Sequence, residues 1–380
     1  MPDLNVSAVV TEEMLAKARQ RVGVERPIIR QWHSEATRDT IRHWAEGIGD
    51  VNPLWTDPAY ARKTKYGRLV APPSFLFSCW QGPMYRDTKP SRGAGLPGIH
   101  RIWAGDSWEW SRHILQGDEI HGTQKLVDIV EHESTFAGRS FEEITERRFF
   151  TQRDELLATY RTSFMATERG TAAKRGKHID FHKYRYSDEE LAQINADIDK
   201  EVVRGATPRY WEDVQVGEAV PWVVKGPYTT TEVVTFLLGW GGPFMMASEV
   251  THRYLRVHPK ANVPDRETNA PDFPERAHWD DAFARECGFP AAYDFGAQRI
   301  AWMVHAVTNW QGDDAFLKKI DAKLLRFNVL GDTTWCRGKV VGKKIEGGEH
   351  LVELDLEAVN QRKETTAAAR AVVRLSSRGG

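Results

Sequence analysis

The residues best suited to acid–base chemistry lie in two short stretches of the sequence. Asp50 and Asn52 follow a glycine in the first half. In the second half, Asp272 and Glu275 precede His278. A carboxylate and an imidazole placed around one water molecule can take up and return protons at neutral pH. A lone histidine at a loop usually has a structural role, so the elements that position these residues decide whether they act together.

An internal repeat organises these elements. Four pairs of segments match in the same order, and each half reads as a capped helix, an irregular segment, a second helix and a run of strands. The numbering offset is 192 at Gly49/Gly241 and 223 at Ala61/Ala284, so the second half carries about thirty extra residues (223 minus 192) before His278. The matched pairs are 39–49 with 231–241, 57–62 with 280–285, 114–118 with 329–332, and 151–153 with 360–362.

The strand candidates alternate between apolar and polar residues, and they follow the helices in each half. This order is typical of an α+β fold with antiparallel sheets. We therefore predict a first domain at 1–166, a charged connector with a short helix at 167–205, and a second domain at 206–380. Ser187 and Glu190 form a predicted capping box that starts the connector helix.

Residues 49–61, Gly-Asp-Val-Asn-Pro-Leu-Trp-Thr-Asp-Pro-Ala-Tyr-Ala, resemble the signature of the MaoC-like, (R)-specific enoyl-CoA hydratase family. That signature is Gly-Asp-x-Asn-Pro-x-His followed by Asp and Ala. Ala71-Pro-Pro-Ser-Phe75 resembles the start of the family's central helix. The resemblance implies a tandem (double) hotdog fold, in which each antiparallel sheet wraps around a central helix. It also implies reversible addition of water to a trans-2-enoyl thioester, with an Asp and a His holding the water.

Both halves depart from that signature. In the first half Trp55 stands at the position of the histidine, so the resemblance implies a degenerate site, with Asp50 and Asn52 kept in a scaffold that forms the acyl pocket. In the second half, residues 278–284 fit the part of the signature that contains the histidine. However, Gly242 stands where the aspartate is expected.

If His278 is catalytic, its carboxylate partner must come from another position. Asp272 is the first candidate and Glu275 the second, because the insert that contains them loosely resembles the missing part of the signature. Asp294 is a third candidate, since it precedes the predicted central helix. A composite site, in which Asp50 of the first half serves His278, is a further alternative.

Gly296 begins the predicted central helix of the second half. The resemblance places a backbone N–H at such a helix start, where it would polarise the thioester carbonyl. Tight helix–sheet packing is the alternative reason for a glycine there. Fourteen tryptophans, several of them near the expected pocket, could line a wide acyl site for ring-bearing groups, or could simply fill the core.

Composition excludes some classes of function. Lys+Arg (52) and Asp+Glu (53) nearly balance, so no global field would attract nucleic acid or a membrane surface. The N-terminus lacks the pattern of a signal peptide, and three cysteines without paired spacing favour a reducing compartment, so a cytoplasmic location is expected. No metal and no cofactor are expected, because coenzyme A enters as part of the substrate.

The sequence therefore predicts an acyl-CoA hydratase/dehydratase that acts on a bulky or ring-bearing acyl group in a degradative pathway. A non-catalytic acyl-CoA-binding partner subunit and a hotdog thioesterase are the alternatives. By resemblance, the expected assembly is a homodimer of double hotdogs or a complex with a related hotdog partner.

Overall fold

Long antiparallel strands are the main elements of both halves. The computed structural model describes residues 10–84, 96, 100–134, 138–167 and 181–379. The strands are β1 (Arg26–Pro27), β2 (Val70–Ala71), β3 (His100–Trp110), β4 (Ile114–Leu115), β5 (Ile120–Ser134), β6 (Gly138–Thr151), β7 (Leu156–Thr167), β8 (Ala219–Lys225), β9 (Phe316–Leu324), β10 (Thr334–Glu346), β11 (Glu349–Asn360) and β12 (Thr365–Arg374).

Ten of these strands form one continuous sheet in the order β1-β5-β6-β7-β3-β9-β12-β11-β10-β8. The order in the second half mirrors that in the first, and the halves join where β3 pairs with β9, with Ser107 opposite Asp321. Short β2 pairs with β4 outside this sheet. The predicted repeat is therefore a pseudo-twofold arrangement, and the predicted α+β double-hotdog fold is confirmed.

The helices lie on one face of the sheet or connect its strands. None of them, within the described residues, is long and apolar enough to span a bilayer. The α-helices are α1 (Glu12–Arg19), α2 (Arg38–Gly47), α3 (Pro53–Thr56), α4 (Pro58–Ala61), α5 (Asp188–Ile198), α6 (Thr230–Trp240), α7 (Ser248–Val257), α8 (Asp281–Glu286) and α9 (Gly296–Gln311).

Helix α9 is the central helix of the second half. It begins at Gly296, as the sequence predicts, and every residue from Ala297 to Gln311 is buried. Its surroundings are apolar on the sheet side, where Leu317, Ile320 and Val352 are almost fully buried. A helix buried on all sides is positioned by packing rather than by its own amphipathicity.

The first half lacks an equivalent long helix in its described residues. The segment that resembles the start of a central helix forms a 3₁₀ helix, Pro73–Cys79, without a side-chain cap. Gly82 and Pro83 follow soon after, and both disfavour a helix interior. A Cβ at Gly82 would lie 2.8 Å from the carbonyl carbon of Gln31, so this backbone packs closely on another loop. Among the described residues, the element at this position of the first half is therefore a 3₁₀ helix that is shorter than α9.

Helices α2 and α6 cross at the pseudo-twofold axis through glycines. A Cβ on Gly239 would lie 2.6 Å from the carbonyl oxygen of His43, and one on Gly47 would lie 3.2 Å from that of Thr235. Residues with side chains would hold these helices apart. The close crossing fixes the ends of both helices, which carry Asp50 and Gly242.

The extra residues of the second half pack on the first half. Met84 N–H donates to the carbonyl oxygen of Pro243 at 2.7 Å, and the hydroxyl of Tyr254 lies 3.6 Å from the Met84 sulfur. Phe244 stacks on Phe273, with ring centroids 5.2 Å apart. These contacts hold both ends of the insert in place. The insert is followed directly by a 3₁₀ helix, Pro274–His278.

The connector helix α5 starts at the predicted capping box, in which Ser187 and Glu190 each bind the other's backbone N–H. It ends at Ile198. The indole N–H groups of Trp222 and Trp335 both donate to Asp197, at 3.2 Å, and attach the end of the helix to the second half.

Candidate active site

The 3₁₀ helix Pro274–His278 brings Glu275 and His278 to one side. In a 3₁₀ helix, side chains at positions i and i+3 eclipse one another, so these two residues face the same direction. Glu275 is 8% exposed, whereas His278 is half-buried. A buried carboxyl group therefore accompanies an imidazole that solvent can still reach.

Glu275 occupies the place of the aspartate that is missing from the second half. A Cβ built on Gly242 would lie 3.0 Å from Glu275 Oε1. Glu275 Oε2 accepts a hydrogen bond from the backbone N–H of Phe244 at 3.2 Å. In the first half, Asp50 Oδ1 accepts the equivalent bond from Asn52 N–H at 3.1 Å. Phe244 lies two residues after Gly242, and Asn52 lies two residues after Asp50, the position that corresponds to Gly242. The two carboxylates therefore bind equivalent backbone N–H groups in the two halves.

Burial raises the pKa of Glu275 to about 8, and the hydrogen bond from Phe244 N–H only partly offsets the loss of solvation. No cation contacts this carboxyl group among the described residues. Glu275 is therefore mostly protonated at neutral pH and can donate a proton.

The ring of His278 is fixed in one orientation. Its Nδ1 lies 2.8 Å from the carbonyl oxygen of Tyr293, and the ring stacks on Phe295 with centroids 3.8 Å apart. A carbonyl oxygen can only accept, so we assign the proton to Nδ1 and the lone pair to Nε2. In this tautomer His278 can act as a base through Nε2.

The N-terminus of α9 lies against the first half. Phe295 is the N-cap residue, and no side chain caps the first N–H groups. A Cβ on Gly296 would lie 2.6 Å from Cγ of Trp103, so only glycine allows Trp103 to pack here. Uncapped N–H groups at a helix start can bind a developing oxyanion. Stacking of Phe295 on His278 places this helix start next to the imidazole.

The structure engages the other two candidate carboxylates elsewhere. Asp272 Oδ2 lies 3.3 Å from Arg276 Nη1, and its Oδ1 caps the N–H of Phe273 at 2.7 Å. Asp294 forms a bidentate ion pair with Arg299 and also accepts from Asn328 at 3.2 Å. Both aspartates thus have structural partners, and neither is brought to His278 by these contacts.

Comparisons with known proteins agree with this geometry. Residues 21–160 match the family model described as FAS1-like, dehydratase domain region. A UPF0336 protein of Parafrankia sp. is 31% identical over 138 residues, which are 36% of this chain and 86% of that protein. A solved structure of a MaoC-like dehydratase has a TM-score of 0.65 at 17% identity and covers 94% of this chain and 100% of that chain. This chain belongs to the same family as that UPF0336 protein, and its fold is that of the MaoC-like dehydratases.

Some curated relatives that match part of this chain carry an activity in their names. The probable enoyl-CoA hydratase alpha subunit of Thermomonospora curvata is 32% identical over 133 residues, which are 32% of this chain and 41% of that protein. The match thus spans less than half of that relative.

The first MaoC-like half keeps a carboxylate but surrounds it differently. Asp50 is 2% exposed, and its Oδ1 lies 3.4 Å from Nε2 of His305, a residue of α9 in the other half. Burial raises the pKa of Asp50 to about 6. The histidine next to Asp50 is thus His305 and not His278, which the composite site had suggested. Asn52 caps α3 by accepting from Leu54 N–H at 2.9 Å.

A buried lysine completes this cluster. Lys225 Nζ donates to the carbonyl oxygens of Ile48 and Gly49 and to Nδ1 of His305, each at 2.9 Å. Burial is the main cause that lowers the pKa of His305, and Lys225 lowers it further. Sequence reasoning missed His305 and Lys225, because neither lies in a motif and only the packing of α9 against β8 brings them together beside Asp50.

The tryptophans expected near the pocket mostly fill the core. Trp240, Trp302 and Trp310 are at most 3% exposed. Trp240 packs on Phe295 with ring centroids 4.9 Å apart, so it supports the residue that stacks on His278.

The raised pKa of Glu275 predicts a pH-dependent stability. The folded-state pKa of about 8 exceeds the ordinary value of 4.5, so the unfolded chain loses this proton first as the pH rises. The loss of folding stability caused by ionisation of Glu275 is absent below pH 4.5. It grows between pH 4.5 and pH 8 and is complete above pH 8. Glu275→Gln should therefore be more stable than wild type at pH 9 by on the order of 5 kcal/mol.

Urea unfolding at pH 4.5 and pH 9 measures this difference, and Glu267→Gln on the exposed surface controls for general effects of pH. If wild type and Glu275→Gln differed in free energy of unfolding by the same amount at both pH values, the assignment of a buried, neutral Glu275 would be contradicted.

Proposed function

We propose that this chain is an acyl-CoA hydratase/dehydratase whose chemistry takes place in the second half. The observation that carries the proposal is the position of the Glu275 carboxyl group, which accepts the Phe244 N–H just as Asp50 accepts the Asn52 N–H. The second half thereby regains a carboxyl group three residues before His278. The first half holds Trp55 instead of a histidine and serves as scaffold and acyl pocket.

In the hydration direction, a water molecule held between Glu275 and His278 attacks the β-carbon of the enoyl thioester. His278 Nε2 takes a proton from the water as the C–O bond forms. The electron pair of the C=C bond moves toward the α-carbon, and protonated Glu275 delivers a proton there. The proton on His278 then returns to the Glu275 carboxylate, and the site is reset for the next turnover.

The thioester oxygen gains negative charge while this happens. The uncapped N–H groups at the start of α9 are preorganised donors for that charge, while Trp103 occupies the space that the missing side chain of Gly296 leaves. Removal of a single donor of this kind typically costs about 10²–10³ in kcat.

The acyl group would extend from this point into the first half. Trp103 borders Gly296, and the 3₁₀ helix Pro73–Cys79 covers less of its sheet than α9 covers in the second half. We expect this part of the first half to receive the acyl group, which the sequence predicts to be bulky or ring-bearing and to belong to a degradative pathway. Cytoplasmic location remains an expectation from the sequence.

Partner subunits are part of the proposal. The name of the Thermomonospora relative includes "alpha subunit", which supports assembly with a related hotdog protein. Pairing with a second copy of this chain is the alternative, and light scattering of the purified chain with and without a candidate partner distinguishes the two.

The test is to incubate the purified chain with trans-2-enoyl-CoAs of short, long and ring-bearing acyl groups. Loss of the conjugated enoyl absorbance without release of free CoA is expected. Release of free CoA from a saturated acyl-CoA would instead indicate a thioesterase, and binding without any conversion would indicate a non-catalytic subunit.

The pH profile provides a second measurement. Because Glu275 must carry a proton and its pKa is about 8, kcat/KM for hydration should fall above pH 8. The decrease should approach about tenfold per pH unit. A rate that rises steadily through pH 9 would show that Glu275 is not the acid.

A further inference from the structure

The sheet of the first half turns polar side chains toward its interior. Arg147 on β6 lies opposite Tyr160 on β7, which lies opposite Trp108 on β3. In the next row, Thr162 lies opposite Asp106. Arg147, Tyr160, Thr162 and Asp106 are each at most 6% exposed, and we refer to these four residues as the polar strip.

The second half is apolar at the corresponding positions. Gln152 and Gln361 occupy matching turns, so residues at equal distances from them along the chain correspond. Strand pairing then extends the match from Thr162 and Asp106 to Ala371 and Ile320. The polar strip is therefore specific to the first half and is not a requirement of the fold. Arg147, Tyr160, Thr162 and Asp106 correspond to Leu356, Ala369, Ala371 and Ile320.

Arg147 is buried, and its guanidinium forms no ion pair with a carboxylate of the described residues. Its guanidinium lies 3.8 Å from the ring centroid of Trp80 and 5.5 Å from that of Tyr160. Nε and Nη1 make no hydrogen bond to any described residue. Burial lowers the pKa of Arg147 to about 10, so it remains charged at neutral pH. Buried donors without acceptors are costly, and such groups usually serve a ligand or water.

Asp106 supplies a buried acceptor beside this cation. Its Oδ1 accepts from Trp103 Nε1 at 2.8 Å and from the Tyr160 hydroxyl at 3.0 Å. Its Oδ2 makes no hydrogen bond to the described residues. The strip thus offers donors and an acceptor, and its positive and negative groups lie close together.

Aromatic side chains connect the polar strip with the candidate active site. Trp103 packs on Gly296 at the start of α9. The ring centroids of Trp103 and Trp80 are 6.0 Å apart, and the guanidinium of Arg147 stacks over the ring of Trp80. An acyl group that starts at Gly296 and follows these rings ends at Arg147.

We propose that the polar strip binds an uncharged oxygen of the acyl group, a carbonyl or hydroxyl remote from the thioester. Such an oxygen accepts hydrogen bonds from Nε and Nη1 of Arg147, and a hydroxyl also donates to Oδ2 of Asp106. A carboxylate fits less well, because Asp106 would repel it. This inference rests on the proposed function for the identity of the thioester, and it makes the substrate an oxygenated acyl-CoA rather than a plain alkyl one.

Binding of saturated acyl-CoAs tests the inference without turnover. Isothermal titration of the full chain would compare dodecanoyl-CoA with its 7-oxo, 9-oxo and 11-oxo derivatives, which place the oxygen at increasing depth. At least one oxo derivative should bind about tenfold more tightly than dodecanoyl-CoA, as expected for hydrogen bonds to a charged group. Equal affinity for all four compounds would overturn the proposal.

Arg147→Met keeps an apolar stem over Trp80 and should reduce the preference for the oxo compound to near unity without weakening dodecanoyl-CoA binding. Arg148→Met, on the exposed face of the same strand, is the matched control and should keep the preference. If Arg147→Met does not fold, Arg147→Lys retains the charge but not the paired donors, and should also lose most of the preference. An unchanged preference in the folded variant, or an equal loss in Arg148→Met, would overturn the proposal. Absence of hydration with the preference intact would count against the proposed function alone.

Discussion

Replacing Glu275 by Gln is expected to reduce kcat for hydration of a trans-2-enoyl-CoA by about 10²- to 10⁴-fold, the usual range for loss of a general acid or base. Gln can still accept the hydrogen bond from Phe244 N–H, so the local backbone should stay in place. It cannot deliver a proton to the α-carbon. The loss should therefore appear in kcat, while KM changes little. Stopped assays at pH 7 with substrate above KM measure it.

Asp272→Asn is the matched control for this experiment. Asp272 was the first candidate from the sequence, but its carboxylate contacts Arg276 and the N–H of Phe273. The variant should keep most of the wild-type kcat. A large loss in Asp272→Asn together with an active Glu275→Gln would reverse the two assignments.

Two equivalent α+β halves could be predicted from the sequence, because the repeat placed equivalent helices, turns and strands in the same order in both. The hotdog fold itself was implied by the resemblance of residues 49–61 to the family signature. The exception is the central helix of the first half. The residues at its start resemble those at the start of the family's central helix. However, Gly82 and Pro83 disfavour continuation of a helix, and Gly82 packs against the backbone of Gln31. A local resemblance of five residues could not reveal this.

The candidate site could be predicted only in part. The sequence pointed to His278 and to four carboxylates, Asp272, Glu275, Asp294 and the more distant Asp50, and it ranked Glu275 second. The space that Gly242 leaves open and the N–H of Phe244 decide in favour of Glu275, and both depend on how the insert folds back onto α6. His305 and Arg147 carried no sequence signal, since their surroundings come from strands and helices far away along the chain.

Asp294→Ala is expected to destabilise the fold by about 3–5 kcal/mol, the usual cost of removing one partner of a buried ion pair. Asp294 and Arg299 are at most 3% exposed, so removal of the carboxylate leaves the guanidinium without a counter-ion. The carbonyl oxygens of Arg326 and Thr366, at 2.6 and 3.1 Å, satisfy only part of its charge. Urea unfolding at pH 7 measures the difference.

Asp321→Ala, which removes an exposed partner of Lys319, should cost less than about 1 kcal/mol and serves as the control. The double variant Asp294→Leu/Arg299→Met should recover most of the lost stability, because it removes both charges together. If Asp294 were instead the base that serves His278, Asp294→Ala would abolish hydration while the free energy of unfolding changed little. The opposite pattern, a large loss of stability with turnover retained in the folded fraction, is what the bidentate contact with Arg299 predicts.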